Sequence, residues 1–169
     1  MTSRKLFWDF SGDRMLEPAP MLEANEESVV VAHVAPDRPR LLVIDDDNLH
    51  RMIICRVAAK AGYAPAGAAT FEEAAALAQA TVFDCITLDL SLGPHAGVEM
   101  LRHLWVVGCK APIIVISGCD DAMCGETLKV AGSLNLNIWQ SMPKPVDLAV
   151  LRHWFDQLKS ERETAAAAA

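Results

Sequence analysis

Short apolar segments alternate with helical patterns between residues 40 and 159, and this alternation limits the folds open to the chain. The predicted strands are residues 41–44, 64–68, 83–90, 113–116 and 137–142. Three of them are strongly apolar along their length, which is typical of strands covered on both faces. Short connections between alternating strands and helices favour a parallel sheet with helices on both sides. The sequence therefore predicts an α/β fold with a doubly wound, five-stranded parallel sheet.

Apolar residues at helical spacing and recognisable helix ends mark the segments between the strands. Thr70, followed three residues later by Glu73, forms a capping box that predicts the start of one helix. Gly62 is suited to end the helix before it. The predicted helices are residues 48–61, 74–80 behind the Thr70 cap, 98–107, 122–131 and 146–159.

Composition and charge exclude several classes of protein. The chain has 169 residues, is 52% hydrophobic and carries a net charge of −7, which fits one domain with a real core and argues against direct binding to DNA. No apolar run approaches the roughly 20 residues that span a bilayer, so no membrane association is expected. The five cysteines show no C-x-x-C spacing and are interpreted as reduced thiols in a cytoplasmic protein.

The sequence divides into three predicted parts. These are a flexible N-terminal extension at residues 1–38, a folded domain at 39–160 and a C-terminal tail at 161–169. The extension is acidic and contains several prolines, which is typical of flexible chain. Its aromatic segment Leu6-Phe7-Trp8 supports an alternative, in which the extension docks onto a partner.

Polar side chains follow four of the predicted strands, at the point where each strand ends. They are Asp45, Asp46 and Asp47 after the first strand, Asp89 at the end of the third, Ser117 after the fourth and Lys144 after the fifth. Carboxyl ends of parallel strands meet at one edge of the sheet, where ligands bind in such folds. Asp47 alone is interpreted as a helix cap. His50, just after the acidic cluster, is assigned to the helix surface, and an electrostatic influence on the site is its alternative role.

Three converging carboxylates need a cation, because their mutual repulsion otherwise opposes ionisation. Mg²⁺ suits oxygen ligands of this kind and also bridges to phosphoryl oxygens. Lys144 can hold a phosphoryl oxygen as a point charge, and the hydroxyl of Ser117 can donate to another. Asp89, alone at the end of a central strand, is therefore the predicted nucleophile.

Four motifs together resemble the receiver domains of two-component response regulators. They are Leu42-Val43-Ile44-Asp45-Asp46-Asp47, Thr87-Leu88-Asp89-Leu90, Val115-Ile116-Ser117-Gly118 and Pro143-Lys144-Pro145. Each is short, but all four occur in order and each closes a predicted strand. The resemblance covers residues 40 to 159 and implies a flavodoxin-like fold of the receiver type, so that residues 39–160 become a predicted receiver domain.

The resemblance also implies a metal site. Asp46 and Asp89 would bind Mg²⁺ through their carboxylates, and Ser91 through its backbone carbonyl. Asp45 would act through a water on the ion. Asp89 would in addition accept a phosphoryl group from a histidine of a sensor kinase or of a histidine phosphotransfer protein.

Further expectations concern the residues around the acceptor. By the same resemblance, Ser117 and Lys144 would assist the transfer to Asp89. The Lys144-Pro145 bond would be cis, a geometry that is cheap only before proline. Gly97 matches the turn glycine of the family.

The segment that would transmit phosphorylation departs from the family pattern. An aromatic residue is usual three positions before the lysine, and here that residue is Ser141. Ser117, Ser141 and Trp139 are the candidate switch residues. Trp139 is predicted to share a face with Ser141, because side chains two apart on a strand point the same way. Its alternative role is simple packing.

These observations predict a module that catalyses its own phosphorylation and dephosphorylation rather than a turnover enzyme. No DNA-binding helices fit after Lys159. The output of the module would therefore come from contacts with an unknown downstream protein or in a homodimer, from the N-terminal extension, or from a domain outside this sequence. The alternative is a phosphate-independent, receiver-like interaction module, which the absent aromatic at Ser141 favours. A small hydrolase using Asp89 ranks last, because Ser91 is not a general acid.

Overall fold

The structure is a computed structural model that describes residues 38–92, 97–118 and 121–168. The predicted N-terminal extension lies outside these residues, except for its last residue, Arg38. The described part of the chain forms five strands and five helices in alternation. They are β1 (Arg40–Ile44), α1 (Asn48–Lys60), β2 (Ala64–Ala68), α2 (Phe71–Ala80), β3 (Cys85–Asp89), α3 (Gly97–Val106), β4 (Ile113–Ser117), α4 (Asp121–Ser133), β5 (Ile138–Pro143) and α5 (Leu148–Ala167).

The strands form one parallel sheet in the order β2-β1-β3-β4-β5. The chain moves outward from β1 to β2 and then crosses back to β3, so the direction of winding changes between β1 and β3. Ligands in sheets of this kind bind beyond the carboxyl ends of the strands at that position. The predicted doubly wound, five-stranded parallel sheet is confirmed.

Apolar side chains pack on both faces of the sheet. On β1, Leu42 and Ile44 belong to one buried cluster, and Leu41 and Val43 belong to the other. The first cluster includes residues of α2, α3 and α4: Ala74, Met100, Leu101, Leu104 and Ala131. The second includes residues of α1 and α5: Ile54, Ala58, Leu151, Phe155 and Leu158. The central strands are buried on both faces, which explains why their sequences are apolar without alternation.

The helix ends follow the signals in the sequence. Asp47 is the N-cap of α1, and its side chain accepts a hydrogen bond from the backbone N–H of His50. Thr70 caps α2 by accepting from the N–H of Glu73 at 3.2 Å. Gly62 has a φ of +94°, a conformation that favours glycine after a helix. These three interpretations of the sequence are confirmed.

Strand β5 contains one residue more than its partner. Ile138 pairs with Ile113, but the next residue of β4, Ile114, pairs with Gln140. Trp139 therefore has no partner in the ladder, and the alternation of side chains is interrupted at this point.

This extra residue separates the two candidate switch positions. Trp139 packs against the buried cluster that includes residues of α1 and α5. Its ring centroid lies 6.0 Å from that of Trp154, and the two rings are nearly perpendicular. Ser141 pairs with Val115, which belongs to the opposite cluster. The expectation that Trp139 and Ser141 share a face is wrong, because it assumed an uninterrupted strand.

Helix α5 extends beyond its predicted end at residue 159 and reaches Ala167. Alanine has the highest helix propensity, so the alanine run continues the helix, and the predicted domain end at residue 160 falls inside it. Arg162 in this extension pairs with Asp84 before β3, at 2.8 Å. None of the helices in the described part of the chain combines the length and the apolar character needed to cross a bilayer.

Candidate phosphoacceptor and metal site

The sheet brings the predicted site residues to one edge. Asp45 and Asp46 directly follow β1, and Asp89 is the last residue of β3. Ser117 is the last residue of β4, and Lys144 directly follows β5. Parallel pairing places all four strand ends on the same side.

Three carboxylates form the centre of the site. One oxygen from each of Asp45, Asp46 and Asp89 lies within 4.8 Å of the others. Asp45 and Asp89 are almost fully buried, with 1% and 2% exposure, whereas Asp46 is exposed. All three donors are hard, charged oxygen atoms, the kind that Mg²⁺, Ca²⁺ and Mn²⁺ prefer. The donor set therefore fits a divalent cation.

Lys144 brings the compensating charge to this cluster. Its Nζ atom lies 2.6 Å from Asp89 Oδ2 and 3.4 Å from Asp45 Oδ2. Partial burial acts to lower the pKa of Lys144, but the hydrogen bond and charge of Asp89, with those of Asp45, outweigh it and raise the pKa above its usual value. The amine is therefore held as an ammonium ion. One ammonium beside three carboxylates still leaves the cluster negative, which favours a cation.

Backbone groups orient the two buried carboxylates. The N–H of Ser91 donates to Asp89 Oδ1 at 3.0 Å, and the N–H of Asp47 donates to Asp45 Oδ1 at 2.9 Å. The N–H of Lys144 donates to the carbonyl of Ser117 at 2.9 Å and joins the ends of β4 and β5. Ser117 itself is buried.

Two further backbone features shape the edge of the site. The Lys144–Pro145 peptide bond is cis, the geometry that the resemblance implies. Gly97 begins α3 against the backbone of Leu90, and a Cβ at Gly97 would lie 2.8 Å from the Leu90 Cα atom. Only glycine permits this approach of the start of α3 to Leu90.

Two residues of α1 that the sequence analysis did not place in the site contact Asp45. His50 Nδ1 is hydrogen-bonded to Asp45 Oδ2, which favours the alternative of an influence on the site over a role at the helix surface alone. Arg51 Nη1 donates to the backbone carbonyl of Asp45 at 2.6 Å, and Arg51 Nη2 donates to Asn48 Oδ1 at 2.9 Å. The sequence feature that could have indicated both contacts is the position of His50 and Arg51 in the first turn of the helix after the acidic cluster.

Ser141, another candidate switch residue, is not among the described contacts of the acidic cluster. Ser141 is exposed on β5, and its side chain is far smaller than the aromatic residue usual at this position. Trp139 occupies the packing role against Trp154. The structure therefore leaves Ser141 without an aromatic neighbour on β5 that shares its face.

An open groove adjoins the site. It has a volume of about 360 Å³, and its lining includes Lys144 and His50 together with the apolar side chains of Leu49, Ile53 and Leu148. Leu49 is 60% exposed. Two residues that contact Asp45 thus also face the groove.

Comparison with known proteins identifies the family. Residues 41–156 match the family model of the response regulator receiver domain. The chain is 30% identical over 109 residues to the chemotaxis protein CheY of Thermotoga maritima. The match covers 63% of this chain and 90% of that protein. The chain therefore belongs to the response regulator receiver domain family. It is the receiver domain of a CheY-like response regulator, which assigns it to two-component signalling.

Solved structures agree with this assignment. A response regulator from Colwellia psychrerythraea is 26% identical with a TM-score of 0.65, over 73% of this chain and 98% of that one. A response regulator protein from Burkholderia pseudomallei is 27% identical with a TM-score of 0.60, over 77% of this chain and 74% of that one. The latter structure holds a phosphorylated aspartic acid, a calcium ion and citrate.

Proposed function

We propose that the domain accepts a phosphoryl group on Asp89 from a phosphohistidine, in a reaction that depends on Mg²⁺. The observation that carries this proposal is the contact between Asp89 and Lys144, with Asp45 and Asp46 beside it. The donor would be a sensor histidine kinase or a histidine phosphotransfer protein, as membership of the family implies.

The chemistry is a transfer between nitrogen and oxygen. An oxygen of the Asp89 carboxylate attacks the phosphorus atom as the phosphorus–nitrogen bond of the donor breaks, and the bonding pair stays on the donor imidazole. The product is an acyl phosphate on Asp89. Catalysis rests on positioning and on neutralising charge, because phosphoryl transfer needs little covalent help from the protein.

Each neighbour of Asp89 has a role in this transfer. Lys144, which contacts Asp89 Oδ2, holds a phosphoryl oxygen through its ammonium group, and the buried hydroxyl of Ser117 donates to another. Asp45, Asp46, Asp89 and the carbonyl of Ser91 would hold the cation. The cation, when bound, neutralises charge on the phosphoryl oxygens.

Signalling output would pass through protein contacts. The absence of an aromatic residue at Ser141 indicates that transmission does not use the aromatic rotation usual in the family. Trp139 packs against Trp154 on the α5 side and does not replace it. A changed affinity for a partner protein or for a second copy of the chain remains the proposed consequence of phosphorylation.

Intact mass measured after incubation with Mg²⁺ and acetyl phosphate tests the acceptor. We expect the wild type to gain one phosphoryl group that is lost in base, and Asp89→Asn to gain none. Asp156→Asn makes the same chemical change at an exposed aspartate of α5 and should behave as the wild type. A wild type that gains no phosphate in the presence of Mg²⁺ would favour the phosphate-independent interaction module.

A further inference from the structure

Asp45 is held by an unusual number of donors for a single carboxylate. Its Oδ1 atom accepts the N–H of Asp47, and its Oδ2 atom meets both His50 Nδ1 and, at 3.4 Å, Lys144 Nζ. An ionised carboxylate accepts at about four positions in all. Three of these are used within the protein, and an Asp45 oxygen also lies within 4.8 Å of an oxygen of each of the other two carboxylates.

The contact between His50 and Asp45 requires a proton between Nδ1 of the ring and the Asp45 oxygen. When Asp45 is ionised it only accepts hydrogen bonds, and Nδ1 of the ring is then the donor of this contact. The His50 ring is 20% exposed, while Asp45 is 1% exposed, so the bond is shielded from water.

The backbone of α1 holds His50 in place for this contact. The N–H of His50 donates to Asp47 Oδ1 at 2.9 Å. The capping hydrogen bond of the helix therefore also positions His50, whose side chain contacts Asp45. The next residue, Arg51, binds the backbone carbonyl of Asp45 at 2.6 Å. Successive residues of α1 thus hold the side chain and the backbone of Asp45.

We propose that His50 is a positioning residue of the metal site, which holds the Asp45 carboxylate in the orientation that serves a divalent cation. This inference rests on the proposed function, since it assigns His50 to the same site. Lys144 cannot replace it, because the amine lies closer to Asp89, at 2.6 Å, than to Asp45, at 3.4 Å. Hydrogen bonds to metal-binding carboxylates orient them and commonly set metal affinity.

Calorimetric titration of the full chain with Mg²⁺ tests the proposal. His50→Leu removes the donor, and we expect Mg²⁺ binding to weaken by about 10- to 100-fold. His50→Asn places an amide N–H where Nδ1–H lies, and we expect it to restore affinity close to that of the wild type. Met52→Ala changes a neighbouring exposed residue of α1 and should leave affinity unchanged.

The outcomes separate this inference from the proposed function. If the wild type takes up phosphate on Asp89 and binds Mg²⁺, but His50→Leu binds Mg²⁺ as tightly or more tightly, His50 has no positioning role. If the wild type binds no Mg²⁺, both the metal site and the role of His50 are overturned. Long-range ¹H–¹⁵N NMR of the wild type provides a readout that needs neither metal nor variant, because a His50 ring without a proton on Nδ1 contradicts the contact.

Discussion

A buried hydroxyl lies in β3, the strand that carries Asp89. Thr87 is 1% exposed, and its side-chain oxygen has no hydrogen-bond partner among the described residues. It points to the same face of β3 as Asp89, two residues later. A buried polar atom without a partner costs about 1–3 kcal/mol, so Thr87 reduces the stability of the strand on which the site is built.

Replacing Thr87 by valine should therefore stabilise the protein. Valine has nearly the same shape and removes the unpaired oxygen, so we expect the free energy of unfolding to rise by about 1 kcal/mol or more. The same change at Thr70 removes the cap of α2 and should lower it by about 1 kcal/mol. Urea denaturation measures both, and a loss of stability at Thr87 equal to that at Thr70 would contradict the assignment.

The sequence alone distinguished these two threonines only in part. Thr70 lies three residues before Glu73, and a capping box is a local pattern that does not depend on the rest of the fold. At Thr87 the sequence indicates only that the residue lies in a strand. Whether its hydroxyl finds a partner depends on the side chains that neighbouring strands and helices bring to it, which no local pattern records.

At the scale of elements, the approach of α3 to the end of β3 depends on one glycine. The N–H of Gly97 donates to the carbonyl of Leu90 at 3.1 Å, which fixes the start of α3 beside β3. Gly132 near the end of α4 offers a contrast, because a Cβ there would meet nothing within 4 Å.

Gly97→Ala should destabilise the protein, while Gly132→Ala should not. At Gly97 the added methyl group would lie 2.8 Å from the Leu90 Cα atom, and relieving such overpacking costs about 1–3 kcal/mol. Since Leu90 follows Asp89, we also expect weaker Mg²⁺ binding. At Gly132, alanine should raise the free energy of unfolding by up to about 1 kcal/mol through its helix propensity. Thermal unfolding that places Gly97→Ala at or above the wild type would refute the tight approach.

The order of elements and the meeting of the three carboxylates at one edge of the sheet were predictable, but the details of β5 were not. Apolar strands followed by carboxylates are visible in the sequence because burial on both faces demands continuous apolar runs. The extra residue at Trp139 is invisible, since it appears only when β5 is aligned with β4. The contact of His50 with Asp45 was missed for a similar reason: it depends on the direction of one side chain in the first turn of α1.

At the scale of the whole molecule, the acidic cluster links metal binding to stability. A cation that binds only the folded chain raises the free energy of unfolding, by about 2.7 kcal/mol when its concentration is 100 times the Kd. Mg²⁺ should therefore raise the unfolding temperature of the wild type, because the three carboxylates are adjacent only in the folded sheet.

Asp46→Asn provides the control for this effect. Asp46 is exposed, so its replacement should leave the fold intact while removing one of the three carboxylates proposed to bind the cation. We expect the stabilisation by Mg²⁺ to be largely lost in this variant, in differential scanning fluorimetry at constant ionic strength. Equal stabilisation of the variant and the wild type would place the bound cation elsewhere on the protein.

The length of α5 has a geometric consequence for any domain fused to its C-terminal end. The helix runs without a break from Leu148 to Ala167. Each residue of an α-helix turns the chain by about 100° and advances it by 1.5 Å. The orientation of a domain fused directly to this helix would therefore depend on the number of helical residues between them. One added alanine would rotate the domain by about a quarter-turn around the helix axis, while seven would bring it close to its original orientation. The number of residues in such a junction, and not only its reach, would set which side of the receiver the fused domain faces.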